Sequence, residues 1–282
     1  MIPTKTRKPE MKISKVQVIF FSPSGGTKKI AAKLASSVAD KLGVPMESLN
    51  LTLPADRDRE YSFGPEDLVI MATPVYAGRV PNKIEPDLRR ILRFSGSPAV
   101  ALTVFGNRSY GTAPEELADI LRSGGAHVIA AGAFVSRHVF SDQIARRRPD
   151  REDKAELGAF GEKIVDKVTA LGDDPSVGEL TLGEIGPYYK PLKEDGTPAA
   201  FLKAKPVTDV DKCYFCRFCV RSCPMGSIDQ DCVTVSGVCI KCHACVRCCP
   251  DKAKHFEDED FLSHVRMLEK NYSERAENKI FI

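Results

Sequence analysis

The sequence predicts an α/β protein with two unlike parts: a doubly wound, five-stranded parallel sheet, then a small α+β module rich in cysteine. Three observations carry this. Residues 15–171 alternate short apolar runs with amphipathic stretches. That periodicity stops near residue 172, where proline and glycine accumulate. All ten cysteines lie at or after position 213.

The first strand is expected at Val16–Phe21, followed by a Ser/Gly turn and a helical pattern from Lys28 to Leu42. A weaker strand fits Met46–Leu51. Leu68–Ala72 is the next apolar run, with Ile84–Leu92 helical after it. Ala99–Val104 precedes a helix at Pro114–Leu121, and His127–Phe134 precedes a long helix at Asp153–Leu171. Strands alternating with helices imply right-handed crossovers and a buried parallel sheet.

Residues 173–206 read as a linker. Pro175, Pro187, Pro191 and Pro198 alternate there with Gly178, Gly183, Gly186 and Gly196. Tyr188, Tyr189 and Phe201 give it apolar weight enough to lie against a neighbour. Residues 207–256 form the cysteine module. Residues 257–276 look like a charged helix, and Ile280–Ile282 is a short apolar end that can dock back; together 257–282 make a tail.

With 282 residues, 43% of them hydrophobic and 28% charged, the chain has the make-up of a globular protein of about two domains. The net charge of +3 is too small to point to nucleic acid. The longest apolar run near the start is too short for a membrane span or a signal segment. A cytoplasmic protein is expected. Lys5, Arg7, Lys8, Lys12 and Lys15 belong to or border an N-terminal arm, residues 1–14, best read as solvated.

The cysteines form a repeat. Cys213, Cys216, Cys219 and Cys223 recur at Cys239, Cys242, Cys245 and Cys249, always 26 residues on, and each run ends in proline (Pro224, Pro250). Crowded cysteines in a chain without an export signal point to metal rather than disulfides. The spacing is that of the bacterial iron–sulfur run, in which the fourth cysteine serves the other cluster. Two-residue gaps let three thiolates reach three corners of a cubane, and a helix carries the fourth sulfur toward its neighbour. One 4Fe–4S cluster is therefore expected on Cys213, Cys216, Cys219 and Cys249, and a second on Cys239, Cys242, Cys245 and Cys223. A pair of zinc knots is the competing reading, less well matched by two runs of four. Cys232 and Cys248 are left over and read as buried thiols. Lys212, Arg217, Arg221, Lys241 and Arg247 outnumber Asp229 and Asp231 here, which suits an acidic docking partner or simply a solvated face.

Residues 211–250 thus resemble a bacterial two-cluster ferredoxin, although Phe215 and Arg217 stand beside the second cysteine, where that family often has glycine. Ser22-Pro23-Ser24-Gly25-Gly26-Thr27 resembles the flavodoxin phosphate loop. Its hydroxyls (Ser22, Ser24, Thr27) and glycines (Gly25, Gly26) precede a helix, whose free N–H groups favour an anion. It is neither a Walker loop nor a dinucleotide fingerprint. Two further loops follow strands: Thr73-Pro74-Val75-Tyr76-Ala77-Gly78, and Gly106-Asn107-Arg108-Ser109-Tyr110-Gly111. Ligands of doubly wound sheets bind at the carboxyl ends of strands. Tyr76 and Tyr110 are candidates to flank a flat ring, with Gly78, Gly106 and Gly111 leaving backbone open to it. His138 is a further residue able to face that site.

Over nearly its full length the chain resembles flavodoxin–ferredoxin fusion proteins. The resemblance implies bound FMN, two 4Fe–4S clusters and an electron-transfer role with a redox partner such as a ferredoxin or a reductase. Two other functions stay open: a flavin-dependent reductase of a small oxidised substrate such as a quinone, and a non-redox binding or sensor protein with structural clusters. No catalytic Ser/His/Asp grouping or nicotinamide fingerprint is present in the sequence, and no catalytic residue is assigned.

Overall fold

A computed structural model describes residues 13–172 and 174–282. The expected arm falls outside these residues except at Ile13 and Ser14. The chain begins with β1 (Lys15–Phe20), α1 (Gly26–Leu42) and β2 (Met46–Asn50). Next come β3 (Tyr61–Phe63), β4 (Asp67–Pro74), α2 (Glu85–Ile91) and β5 (Leu92–Phe94). Then follow β6 (Pro98–Phe105), α3 (Ala113–Ser123), β7 (His127–Val135) and α4 (Arg151–Leu171).

The strand order is β10-β7-β6-β4-β1-β2, with β10 at Lys279–Phe281. Its five parallel strands have the doubly wound order 2-1-3-4-5. The sequence anticipated five strands; the sheet has a sixth, because Ile280 pairs antiparallel with Gly132 on the open edge of β7. Strand alternation sorts the core into two layers. Val16, Val18 and Phe20 face α1 and α4, while Ile19, Phe21 and Met71 face α2 and α3. Ile30, Leu34 and Val38 recur at helical spacing on the buried side of α1. A small parallel pair, β3 with β5, lies outside the expected elements and is held by stacked Phe63 and Phe94.

The cysteine-rich segment contributes β8 (Val207–Thr208), α5 (Phe218–Ser222), α6 (Ala244–Cys248) and β9 (Lys254–His255). β8 pairs antiparallel with β9. α7 (Glu259–Asn271) follows, and its Phe261 packs with Phe201 and Phe256. No helix among the described residues is long and apolar enough to cross a membrane.

Candidate functional site

The carboxyl ends of β1, β4, β6 and β7 open into one cavity of about 560 Å³. From the first loop it is lined by Ser24, Gly26 and Thr27, and from the loop after β4 by Pro74, Val75, Tyr76 and Gly78. Gly106 and Arg108 follow β6, and Ser136 and His138 follow β7. Eight of the fourteen residues expected to hold a cofactor thus meet in one place.

The other six serve the loops rather than the wall. Ser22 Oγ accepts the Lys28 N–H (2.9 Å), so it caps α1, and Gly25 takes the left-handed conformation at the helix start (φ 83°). Thr73 is fully buried in β4, its hydroxyl without a partner among the described residues. Asn107 donates to the carbonyls of Tyr272 (2.8 Å) and Glu274 (2.7 Å) and accepts from Ala276 N–H, so its amide ties down the chain after α7. Tyr110 packs edge-on against Phe105. Gly111 (φ 55°) lies so close to Gly78 that a Cβ there would meet the Gly78 carbonyl at 2.4 Å. That contact locks the second loop to the third.

His138 has a defined state. The Phe140 N–H donates to its Nδ1 (3.1 Å), which leaves the proton on Nε2. Burial, then the charges of His264, Arg108 and Arg247, push its pKa down to about 4, so it is neutral near pH 7.

The expected linker lies against a neighbour, and that neighbour is this cavity: Tyr188, Tyr189, Pro191, Phe201 and Leu202 form its roof. Which partners hold it there was not legible in the sequence. Tyr189 N–H donates to the Ala77 carbonyl (2.8 Å), and the Tyr188 hydroxyl to that of Val80 (3.2 Å). Arg79, paired with buried Glu116, donates to the Gly186 carbonyl (2.5 Å). The Arg108 guanidinium lies 3.8 Å from the centre of the Tyr189 ring. Pairing across so many residues leaves no local signal; the tyrosines were the one visible hint.

A third wall is Val238–Lys241, which carries Cys239. Tyr76 sits close to this segment. Its ionisation is pushed well above the usual phenol range by burial first, then by Cys242 and Cys239.

Cys223, Cys239, Cys242 and Cys245 line one small void, though they come from two different runs. Burial, then Cys223 and Cys239, raises the Cys242 thiol to about 12. Cys245 is pushed up by burial and by the other three sulfurs. Of the other expected quartet, Cys213 and Cys219 lie in a packed cluster that also holds Cys223 and Cys245, and Cys216 and Cys249 both act on Tyr214. All ten cysteines are unpaired with one another. Among the described residues, no three His, Cys, Asp or Glu side chains converge on the position of a single ion.

The 26-residue repeat is also a backbone repeat. Phe215 and Lys241 have φ of 58° and 55°, Arg217 and His243 of 61° and 58°, Gly226 and Lys252 of 59° and 55°. Left-handed backbone is the conformation glycine adopts most cheaply, which explains why glycine suits these loops. Ser227 N–H donates to Cys223 Sγ (3.3 Å) and Ala253 N–H to Cys249 Sγ (3.2 Å), again 26 residues apart.

Two arginines join this segment to the sheet. Arg57, buried in the turn at Pro54–Arg57, donates to the Pro224 carbonyl (2.7 Å) next to Cys223. Arg247 of α6 donates to the carbonyls of His138 (3.0 Å) and Val139 (2.7 Å).

No family model matches the chain, and no curated protein matches it. Solved structures that it resembles include a flavodoxin from the domain Archaea (19% identity, TM-score 0.39), covering 55% of this chain and 98% of that one. Flavodoxin 2 from Bacillus cereus has 15% identity and a TM-score of 0.42, over 54% and 99% of the two chains. Rubredoxin oxygen:oxidoreductase from Desulfovibrio gigas has 18% identity and a TM-score of 0.39, over 58% of this chain and 37% of that one.

Proposed function

We propose that this chain is an iron–sulfur flavoprotein that passes electrons between two 4Fe–4S clusters, FMN and external redox partners. The observation that carries this is the shared wall. The segment bearing Cys239 forms one wall of the cavity at the strand ends, and Tyr76, in another wall, feels Cys242 and Cys239. A cofactor in the cavity and a cluster on the second quartet would therefore be neighbours, with Cys239 common to the cavity wall and to that quartet.

The residues fit both groups. Ser24, Thr27 and the open N–H groups at the start of α1 suit a phosphate, with no lysine in the loop itself. A volume of about 560 Å³ is in the range of small-molecule sites. The two quartets offer sulfur donors for the interleaved pairing, and the Ser227 and Ala253 N–H groups donate to Cys223 Sγ and Cys249 Sγ. The corners of a cubane stand apart, so its ligands spread wider than those of one ion. When bound, FMN supplies chemistry with one or two electrons, and each cluster one electron at a time. Tyr188, Tyr189 and Phe201 line the cavity on the side of the expected linker, and Arg57 and Arg247 hold the second quartet against it. Covalent linkage and docking together raise the effective concentration of donor for acceptor.

His138 favours a second reading. Its neutral ring keeps a proton on Nε2 in the cavity wall, which suits reduction of a small oxidised substrate such as a quinone. The test is anaerobic purification with metal and flavin analysis, then stepwise reduction. About eight irons and about one flavin per chain, both reducible, are expected. Zinc in place of iron, or no flavin released on denaturation, would overturn the proposal. Turnover of a quinone that is lost in His138→Gln would favour the second reading.

A further inference from the structure

Lys254 is a cation where the fold calls for a hydrocarbon. It lies in β9, opposite Thr208, and is 2% exposed. Its Nζ has no hydrogen-bond partner among the described residues. The 26-residue repeat sets Ile228 at the equivalent position, 5% exposed and packed with Cys219, Cys232 and Cys245. An aliphatic side chain therefore satisfies packing in one half of the repeat. A buried, unpaired ammonium in the other half is costly without an opposing charge.

α6, which carries Cys245, packs against β9. Thr208, opposite Lys254, donates through Oγ1 to the carbonyl of Cys232, which packs with Cys219 of α5. Asp231, in the loop between these helices, adjoins Cys232 and is acted on by the Lys254 charge. Asp231 is occupied by its own turn, where it accepts from Thr234 Oγ1 (2.6 Å) and from the N–H groups of Val233 and Thr234. That leaves sulfur. Cys219 and Cys245 are the third cysteines of the two runs and belong one to each quartet.

We infer that Lys254 is a built-in counter-charge shared by both iron–sulfur sites, placed between their third cysteines, which raises the reduction potential of each. This rests on the reading that the quartets hold clusters. The physical reason is charge balance. One electron from an external reductant adds one negative charge to a cluster, and a fixed cation nearby stabilises that reduced form. Low local polarity strengthens the effect. In the metal-free chain, among the described residues, only Asp231, already held by its own turn, opposes the same charge, so Lys254 also ties stability to cluster loading.

The experiment uses the full chain. Wild type, Lys254→Met, Lys254→Arg and Ile228→Met are reconstituted with iron and sulfide, and both clusters are titrated with dithionite under EPR detection. In Lys254→Met both midpoints should move negative, with about a tenfold lower reduced-to-oxidised ratio at fixed potential, or about 59 mV. Lys254→Arg, which keeps the charge, and Ile228→Met, which alters packing only, should stay near wild type. Urea unfolding of the metal-free forms should show Lys254→Met more stable than wild type. Unmoved potentials in Lys254→Met, or a less stable metal-free form, would overturn the inference. Should Lys254→Met take up no iron, the metal-free comparison alone decides. A wild type without iron would instead sink the proposed function, whatever the variants do.

Discussion

Arg57 and Pro224 are 167 positions apart, yet the Arg57 guanidinium donates to the Pro224 carbonyl at 2.7 Å. The same side chain donates to the carbonyls of Leu51 and Thr52 and to Asp87. Arg57 thus joins the chain after β2, the first turn of α2 and the residue after Cys223 in one buried junction. Arg247 makes the matching junction from the other side. The cysteine-rich segment is gripped beside two members of one quartet.

Arg57→Met would leave three carbonyls without their donor. The expected loss is about 3 kcal/mol of stability or more, as for a broken buried charged network. Urea unfolding measures it, and proteolysis within 174–206 should quicken as the roof loosens. A variant as stable and as resistant as wild type would mean that the junction holds nothing together.

The interleaved quartets make a non-additive prediction. Cys223→Ala and Cys239→Ala should each lower iron from about eight to about four per chain, and the double variant should lose no more. Cys223→Ala with Cys213→Ala should lose nearly all. Cys248→Ala should keep all its iron, because that sulfur lies against Ser222 Oγ (3.1 Å) instead. Iron lost equally from both double variants would refute the pairing.

The first and third loops predict one effect on flavin binding and one on stability. Thr27→Val removes a hydroxyl from the wall and should weaken binding about tenfold, near 1.4 kcal/mol. Gly106→Ala is a packing test. Its Cβ would fall 2.4 Å from His138 Cδ2, and forcing that ring aside should cost about 1–3 kcal/mol of stability. Fluorescence titration with FMN reads the first and thermal unfolding the second.

His138 gives the chain a pH dependence of known sign. Its pKa of about 4 lies below the ~6.5 of an unfolded histidine, so the unfolded chain takes up the proton first. The neutral ring's contribution is complete above pH 6.5. It declines between pH 6.5 and 4, by about 3 kcal/mol at most. The stability gap between the cofactor-free wild type and His138→Gln should therefore shrink as pH falls through that window. Parallel stability profiles from pH 7 to 4 would contradict the assignment.

Local patterns revealed much of this molecule. Apolar runs located the parallel strands to within a few residues, because β1, β4, β6 and β7 are buried on both faces and need no long-range information. The loops after β1, β4 and β6 were legible because glycine and hydroxyl residues cluster there. Roles settled by distant partners were not. Asn107 and Tyr110 sit in an expected loop, but the chain after α7 claims the first and Phe105 the second. Nothing near Arg57 or Arg247 in the sequence distinguishes them from surface arginines. β3 and β5 are three residues each, too short for a periodic signal.

The placement of β10 bears on any attempt to dissect the chain. Its residues complete the edge of the first sheet, and Asn278 accepts the Val135 N–H (2.8 Å) at the tip of β7. The cysteine-bearing stretch is consequently an insertion within one folded body, not an appendage behind it. Shortening the polypeptide at position 206 would strip a strand from the half meant to survive. A usable single-cofactor version calls for excision with a bridge from the 206 region to α7, so that the closing strand is kept.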